Sequence, residues 1–152
     1  MLQGWRIVKA KYASSAFDGE GARLYGARWN SVGTPMVYTS QSVSLAVLEM
    51  LVHLEDTGVL PTYRLCPVNF DETFMQVMDE KTLPANWRDP VAPTALKKIG
   101  DDWVRSRQSV VLRVPSVVVP GEYNYLLNPQ HPQFAKLEFG APLPFEFDSR
   151  LL

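Results

Sequence analysis

Hydrophobic and polar positions change their period along one stretch of this chain, and the change predicts a strand followed by a helix. Residues 36–39 form a short run rich in β-favouring side chains, which is typical of a strand. Beyond it, apolar residues recur at helical spacing from 43 to 54, and Ser40 or Ser42 can cap the helix at its N-terminus. Further leucines and valines widen the apolar stripe, so we predict that the helix is buried on more than one side.

Glu49 is the one acidic residue within this apolar helix. It falls on a narrow polar strip with Ser42, which lies seven residues before it, and with His53 and Asp56, which lie four and seven residues after it. A carboxylate on such a strip can face solvent or belong to a functional site. Periodicity alone leaves both interpretations open.

Two glycine-containing segments before the helix are predicted to be loops. Gly26, Gly33 and Pro35 punctuate the segment immediately before the predicted strand, and that loop would display Arg28. Residues 11–24 are rich in glycine, serine and alanine, which predicts a mobile loop. A mobile loop at this position would be able to close over a ligand.

Four further strands follow from alternating or β-rich runs. One is predicted near the N-terminus, and one along a sheet edge near the C-terminus. Another is expected to stop at Pro67, because proline interrupts a strand. The most strand-like run is expected to bend at Pro115, which leaves Ser116 beside the break. These strands are predicted at residues 2–8, 62–66, 110–119 and 142–147.

Helical and irregular segments complete the predicted fold. A helix is expected from 93 to 105, where apolar residues recur at helical spacing. Residues 71–91 are predicted to form an irregular connector with Trp87 in the core and no chemistry of its own. The proline-rich segment around Asn128 is predicted to hold no long regular element. The whole chain, 1–152, is therefore predicted to be one compact α+β domain with a small mixed β-sheet and several helices.

Composition and charge narrow the classes of function. The 152 residues are 46% hydrophobic, which suffices for a core, and the formal net charge is -1. We therefore expect no direct binding of nucleic acid, and residues 97–107, which carry both signs of charge, are predicted to form a solvated mixed face. Cys66 stands alone and is predicted to be a core residue. The sequence shows no signal-peptide core and no run of about 20 apolar residues, so we expect a cytoplasmic protein that does not bind a membrane.

Several kinds of catalytic site find no support in the sequence. His53, His131 and Cys66 are scattered and match no metal-ligand spacing, so no metal is expected. The Gly-x-Ser-x-Gly elbow of many serine hydrolases does not occur. The Gly-Ala-Arg segments at 21 and 26 do not form a phosphate-binding fingerprint.

Three other polar residues have ordinary explanations from the residues alone. Arg6 lies among apolar neighbours in the first strand, where an arginine pairs with a carboxylate or extends its charged head to solvent. Ser116 is favoured as a cap of local backbone groups. Asn128 is favoured as a turn residue whose side chain binds nearby main chain.

An ordered series of short motifs runs through nearly the whole chain. It consists of residues 5–6, 26–30, 37–39, 45–49, 114–120, 122–129 and 144–150. The series resembles the RES domain, a family named for an arginine, a glutamate and a serine. No single motif is diagnostic, but their order is. The chain departs from a common form of the pattern in one place, because Gly26 and Ala27 stand where two glycines are expected.

The resemblance implies an enzyme related to the ADP-ribosyltransferases, with a similar fold, that cleaves NAD at its nicotinamide–ribose bond. Its catalytic residues would be Arg28, Glu49 and Ser116. Arginine forks match phosphate oxygens, and an ionised glutamate can stabilise positive charge that develops on the ribose. Tyr38 would stack on the nicotinamide or ribose, and Ser116 would orient the ribose or amide. The residues expected to bind NAD are Arg6, Arg28, Tyr38, Glu49, Ser116 and Asn128.

The resemblance also implies a biological setting. RES proteins include toxins of type II toxin–antitoxin pairs, in which an Xre-like antitoxin covers the pocket and carries the DNA contact. Water, phosphate or a protein side chain can each accept the ADP-ribose, and the sequence does not choose among them. The alternative interpretation is a non-catalytic module on the same fold that senses a nucleotide or binds a protein.

Overall fold

The computed structural model of the protein describes residues 1–54 and 61–152. Its α-helices are α1 (Glu20–Tyr25), α2 (Val43–Leu51) and α3 (Thr94–Ser106). Its strands are β1 (Leu2–Lys9), β2 (Val37–Ser40), β3 (Tyr63–Phe70), β4 (Met75–Val77), β5 (Val111–Pro115), β6 (Tyr123–Leu127), β7 (Glu138–Phe139) and β8 (Leu143–Phe145). None of the described helices is long and apolar enough to cross a bilayer.

The strands form one mixed sheet with a weak join near its middle. The strand order is β4-β5-β6-β2-β1-β3-β7, and β8 also pairs with β3. β4 and β5 are parallel and the other neighbours are antiparallel, which confirms the predicted α+β class with a mixed sheet. β1 matches β3 along its full length, but it meets β2 only where Trp5 lies opposite Ser40. Beyond that pair no further residues of β1 and β2 are paired.

Hydrophobic side chains fill the space between the sheet and the helices. Trp29, Trp87 and Trp103 form a buried cluster in which α3 packs on β5 and β6. Trp87 therefore lies in the core, as predicted. A second cluster surrounds Phe70, and a third joins Ile7 of β1 to α2. The helices are thus fixed to the sheet on both sides of the weak join.

Several elements lie where the local pattern predicts them. β1, β2 and α3 match their predicted segments to within one residue at each end. Ser42 caps α2, because its side chain accepts a hydrogen bond from the Leu45 N–H at 3.1 Å. The strand breaks at Pro115 as predicted, but β5 ends there, so the predicted run 110–119 is too long at its C-terminal end; β8 is the predicted edge strand. Cys66 is fully buried in the core, as predicted.

The prediction that α2 is buried on more than one side is wrong. Leu45 and Ala46 are buried where α2 contacts β1 and β2, whereas Leu48 and Val52 are 40% and 58% exposed. The helix lies on the sheet along one side, so the wider part of its apolar stripe reaches the surface. Asp56, which was placed on the polar strip, lies outside the described residues.

β3 continues through Pro67, so the prediction that proline ends this strand is wrong. Pro67 lies opposite Trp5 of β1, and its carbonyl accepts a hydrogen bond from the Gly140 N–H at 3.0 Å. The N–H and C=O of one strand residue point to the same side, so the missing N–H faces the outer side of β3. There the β8 pairing ends at Leu65 and the β7 pairing begins at Val68. Proline is tolerated in this interval because it falls between two edge partners.

The sequence prediction also misses β4 and β6. Asn124 interrupts the hydrophobic pattern of β6 and is a poor strand former, but β5 and β2 pair with both edges of that strand. β4 has only three residues and pairs with β5 in parallel, so the connector 71–91 is not wholly irregular. Pairing with distant strands, rather than local propensity, forms both.

Residues 11–24 are largely helical, so the prediction of a mobile loop is wrong. A 3-10 helix spans Ala10–Ser15, and α1 follows it. The Arg23 carbonyl at the end of α1 accepts a hydrogen bond from the Gly33 N–H at 2.7 Å. Helix α1 is thereby attached to the loop that carries Arg28.

Candidate active site

A cleft of about 980 Å³ opens where β1 and β2 separate. Arg6 reaches it from β1, Tyr38 from β2, Glu49 from α2 and Arg28 from the loop before β2. The structure therefore brings together four of the six residues that the sequence resemblance groups. Ser116 and Asn128 do not line this cleft.

Glu49 is half-buried, and one of its two carboxylate oxygens is fully engaged. Oε1 accepts a hydrogen bond from Ser116 Oγ at 2.7 Å and another from Asn124 Nδ2 at 2.8 Å. Among the described residues, no donor binds Oε2. This carboxylate does not simply face solvent along a polar strip, because two side-chain donors hold one of its oxygens and the residue lines the cleft.

Ser116 lies behind Glu49 and is 1% exposed. Its hydroxyl oxygen accepts hydrogen bonds from the N–H groups of Val118 and Val119, each at 3.1 Å. The hydroxyl proton is therefore directed to Glu49. Ser116 is both a backbone cap, as the residues alone favoured, and a donor to the carboxylate. The structure places its hydroxyl on Glu49 rather than in the cleft where it would orient a ribose.

Arg28 is held by main-chain carbonyls. Its Nη1 donates to Trp87 O and its Nη2 to Pro90 O, both at 3.1 Å. In the part of the chain that the structure describes, it forms no ion pair, so its charge is not neutralised. The connector in which the sequence indicated no chemistry supplies both carbonyls and also Arg88, which lines the cleft.

We call residues 26–34 the arginine loop, and Tyr38 fixes its conformation. The Tyr38 hydroxyl donates to Asn30 Oδ1 at 2.6 Å and accepts from the Trp29 N–H at 3.0 Å. Burial raises the pKa of Tyr38, so the hydroxyl keeps its proton. Asn30 in turn donates to Ala22 O at 2.8 Å and to Thr34 O at 3.0 Å. The Tyr38 hydroxyl is thus committed to the loop, while the side chain still lines the cleft.

The backbone of the arginine loop explains its glycines. Gly26 has φ 70° and Gly33 has φ 100°, values that favour glycine. Ala27 has no positive φ. Its presence where the family pattern has a second glycine therefore imposes no strain on this loop.

Helix α3 supports the arginine loop at three points. Lys97 Nζ donates to Ala27 O at 2.7 Å, and Asp101 Oδ1 accepts from the Ser31 N–H at 2.9 Å. Between them, Gly100 lets the loop approach so closely that a Cβ there would lie 1.6 Å from Trp29 O. The predicted solvated mixed face is thus wrong for Lys97 and Asp101, because these residues face the loop. It holds for the exposed pairs of Asp102 with Lys98 and Arg105.

Arg6 is a second cation without a carboxylate partner among the described residues. Its Nη1 donates to Tyr38 O at 3.1 Å, and its buried Nε has no partner in this part of the chain. Burial lowers the pKa of the guanidinium from its very high ordinary value. A buried cation with unused donors is suited to an anionic ligand.

The charges around the cleft are unequal. Its lining includes the cations of Arg6, Arg28, Arg88 and Lys97, whereas Glu49 is the one carboxylate among the described lining residues. Arg88 also pairs with Glu80 at 3.1 Å and stacks over Trp87 at 4.7 Å. Such a cleft is complementary to a ligand that carries several negative charges and one centre of positive charge.

Asn128 and Cys66 are both buried and lie outside the lining of the cleft. Asn128 is fully buried; its Nδ2 donates to Val104 O at 3.0 Å, and its Oδ1 accepts from the Gln130 N–H at 3.0 Å. Those contacts agree with the turn role that the residues alone favoured. Burial raises the pKa of the Cys66 thiol, which disfavours a reactive thiolate.

Sequence reasoning missed the site role of Asn124 and Asn30. Asn124 is a polar residue between two tyrosines, and that local contrast is the signal that would have singled it out, whereas Asn30 stands beside Ser31 and close to Arg28 without such a contrast. The signal at Asn124 does not name its partner. Asn124 and Glu49 are 75 residues apart in the sequence, so only the fold reveals their contact.

The chain resembles known proteins both in sequence and in fold. The RES domain family model matches residues 3–148. A "Toxin Res" of Photorhabdus laumondii is 42% identical over 149 residues, which cover 97% of this chain and 96% of the relative. A "Prs ADP-ribosylating toxin" of Sphingobium sp. is 32% identical over 153 residues, which cover 97% and 95%. A chain in the crystal structure of the M. tuberculosis MbcT-MbcA toxin-antitoxin complex has the same fold, with a TM-score of 0.75, 16% identity, and coverage of 95% of this chain and 84% of that one.

Proposed function

The chain belongs to the RES domain family, and from that premise we propose that it is an NAD-consuming toxin of a type II toxin–antitoxin pair. One observation carries the proposal: Glu49, whose Oε2 has no donor among the described residues, lines a cleft together with the cations of Arg6, Arg28, Arg88 and Lys97. The names of the relatives, "Toxin Res" and "Prs ADP-ribosylating toxin", support a toxin that uses NAD. In this proposal residues 1–152 make up one RES domain, and the protein acts in the cytoplasm.

The cations are placed to bind the NAD pyrophosphate. Guanidinium groups match phosphate oxygens with two parallel hydrogen bonds. Arg6 and Arg28 have no carboxylate partner among the described residues, so their charge is available to the phosphates. The side chain of Tyr38 lines the same cleft and offers an apolar surface to the nicotinamide or the ribose.

Glu49 then stabilises the charge that forms when the glycosidic bond breaks. The bond between ribose C1′ and the nicotinamide nitrogen cleaves, and its electron pair stays on that nitrogen and cancels the positive charge of the ring. The ribose is left as an oxocarbenium-like cation. A carboxylate oxygen fixed beside this cation stabilises it more than it stabilises the ground state. Nicotinamide is a good leaving group, so the step requires no general acid.

The acceptor completes the reaction in one of three ways. The attacking atom is an oxygen of water or phosphate, or a nucleophilic atom of a protein side chain. It forms a new bond to C1′ and loses its proton. The products are ADP-ribose, ADP-ribose phosphate or an ADP-ribosylated protein, respectively. The relative named as a Prs ADP-ribosylating toxin supports the third route, although all three share the same cation.

An Xre-like antitoxin is the partner in this proposal. It would cover the cleft and carry the DNA contact, which the net charge of -1 of this chain does not favour. Leu48 of α2 and Val52, which follows the helix, are exposed close to Glu49 and offer apolar surface to a covering protein.

The test is a time course of NAD with purified, partner-free protein, with and without phosphate and a protein acceptor. We expect release of nicotinamide, and mass spectrometry of the ribose product identifies the acceptor. Glu49→Gln should lower kcat by about 10²-fold or more while thermal unfolding changes little. Glu138→Gln, which changes an exposed carboxylate on the edge strand β7, is the matched control and should retain full turnover.

Two outcomes of this experiment would contradict the proposal, in whole or in part. If the folded protein releases no nicotinamide under any of these conditions, the non-catalytic module becomes the better interpretation. If Glu49→Gln consumes NAD as fast as the parent, NAD cleavage stands, and the role given to this carboxylate is wrong.

A further inference from the structure

The two donors that hold Glu49 come from the two ends of one connection, and they are not equivalent. Ser116 follows β5 and Asn124 lies near the start of β6. The hydroxyl oxygen of Ser116 also binds Val118 N and Val119 N, so its removal disturbs the turn as well as Glu49. The Asn124 side chain, within the described part of the chain, binds only Ser40 and Glu49. Asn124 can therefore be changed without removing a main-chain hydrogen bond.

Ser40 and Glu49 together hold the Asn124 amide in one orientation. The two residues lie opposite each other in the β2–β6 pairing, and Ser40 Oγ donates to Asn124 Oδ1 at 2.9 Å. Rotating the amide by half a turn would place its oxygen against the Glu49 carboxylate, where both groups are acceptors. The NH₂ group must therefore face Glu49. Ser40 is 4% exposed, so solvent does not compete for this bond.

A glutamate carboxylate has two equivalent oxygens and a broad terminal torsion, so an unrestrained Glu49 would present either oxygen in many orientations. Two donors that converge on Oε1 remove this freedom. We propose that Asn124, held by Ser40, is a positioning residue that fixes the Glu49 carboxylate so that Oε2 meets the substrate ribose. This inference rests on the proposed function, since it concerns the orientation of the same carboxylate.

The first test compares steady-state kinetics of Asn124→Ala, Ser40→Ala and the parent. A displacement of a reacting group by about 1 Å can lower the reaction rate by about 10²-fold. Asn124→Ala should therefore lower kcat by about tenfold to 10²-fold. KM for NAD should change little, because Arg6 and Arg28 are untouched. Ser40→Ala should lower kcat in the same direction by a smaller factor. Thermal unfolding of each variant shows that the loss is not one of folded protein.

The second test uses pH to separate orientation from mere packing. Asn124→Asp has nearly the same shape but puts a second carboxylate within hydrogen-bond distance of Glu49. Two such carboxylates resist simultaneous ionisation. As the pH falls, the pair therefore takes up its first proton more readily than a single carboxylate would. A protonated Asp at this position can donate to Glu49 as the amide does. The ratio of Asn124→Asp turnover to parent turnover should therefore rise as the pH falls, whereas the ratio for Asn124→Ala, which has no carboxyl group at this position, should show no such rise.

Two results would overturn the inference: parent-like kcat in folded Asn124→Ala, or an Asn124→Asp ratio that does not change with pH. If the parent itself releases no nicotinamide, the proposed function fails, and carbon-13 NMR of labelled carboxyl groups tests the positioning contact separately. In Asn124→Asp the two carboxyl groups should then titrate as a coupled pair. Independent titration of the two would show that the side chain at 124 does not contact Glu49 in solution.

Discussion

The two walls of the cleft are fixed by different kinds of contact. On one wall, Glu49 is held by two side-chain donors, Ser116 and Asn124. On the other, Arg28 is held by two main-chain carbonyls, and its loop rests on α3. Side-chain donors can be exchanged one at a time, whereas main-chain contacts depend on the position of whole segments.

This difference separates chemistry from folding. Substitutions at Glu49 change a charge and leave the packing of α2 on the sheet intact, so they should act mainly on kcat. Substitutions under the arginine loop displace backbone that also packs on the tryptophan cluster around Trp29. They should lower stability and substrate binding together. The following experiments address the second wall, from the largest expected effect to the smallest.

Gly100→Ala should have the largest effect on stability. A Cβ at this position would lie 1.6 Å from Trp29 O, so either α3 or the arginine loop must move. Overpacking of this kind costs about 3 kcal/mol or more, since the atom it meets is backbone. Chemical denaturation should show a lower midpoint, and KM for NAD should rise because Arg28 moves with the loop.

Gly21→Ala is the matched control for that experiment. Gly21 lies in α1 with nothing within 4 Å of a new Cβ. Alanine favours a helix by about 0.5–1 kcal/mol over glycine, so this variant should be as stable as the parent or slightly more so. Equal stability of the two alanine variants would contradict the close contact between α3 and the loop.

Asp101→Ala should have the next largest effect. It leaves the partly buried Ser31 N–H without its acceptor, which costs about 1–3 kcal/mol. Asp101→Asn keeps an oxygen at the same place and should recover part of that loss. Thermal unfolding measures both variants, and KM for NAD reports the position of the loop.

Asp102→Ala is the control, because this neighbouring aspartate forms only exposed ion pairs with Lys98 and Arg105. Such pairs contribute little, so its unfolding should resemble that of the parent. If Asp101→Ala and Asp102→Ala behaved alike, the assignment of Asp101 to the loop would have to be abandoned.

Tyr38→Phe should have an effect at neutral pH comparable to that of Asp101→Ala and a distinct one in alkali. It removes the hydrogen bonds of Tyr38 to Asn30 and Trp29, which costs about 1–3 kcal/mol. Burial raises the pKa of Tyr38 above its ordinary value of 10.0, so the unfolded chain loses this proton first as the pH rises. The stability that depends on it is complete below pH 10 and declines as the pH rises through the folded-state pKa.

Denaturation of Tyr38→Phe at several alkaline pH values should therefore show a shallower loss of stability than the parent. Tyr25→Phe, which changes a tyrosine that is 83% exposed, should keep the parent's slope. If Tyr38→Phe loses stability with rising pH as steeply as the parent does, then the Tyr38 hydroxyl does not have a pKa raised by burial.

Local pattern alone located much of the fold. The period of apolar residues placed β1, β2 and α3 to within one residue at each end, and Ser42 supplied the predicted cap of α2. The break at Pro115 left Ser116 outside the strand, as predicted. These features depend on contacts between residues a few positions apart, and such contacts can be inferred from spacing.

The site was predictable only in part. The ordered resemblance to the RES domain grouped Arg6, Arg28, Tyr38 and Glu49, and these four residues do line one cleft. It did not indicate that Ser116 would bind Glu49 from behind, or that Asn128 would lie outside the cleft. Family order gives the identity of residues that belong together, but it does not give the direction in which each side chain points.

What the sequence determined by itself was a part of the local elements, β1, β2 and α3 above all, and, through the order of its motifs, the family. Tertiary structure decided the rest: that Pro67 lies within a strand, that β6 is an inner strand, and that Asn124 holds Glu49. The Ser116–Glu49 and Asp101–Ser31 contacts join residues 67 and 70 positions apart. No local period encodes such pairs, because they form only when the sheet brings distant strands and helices together.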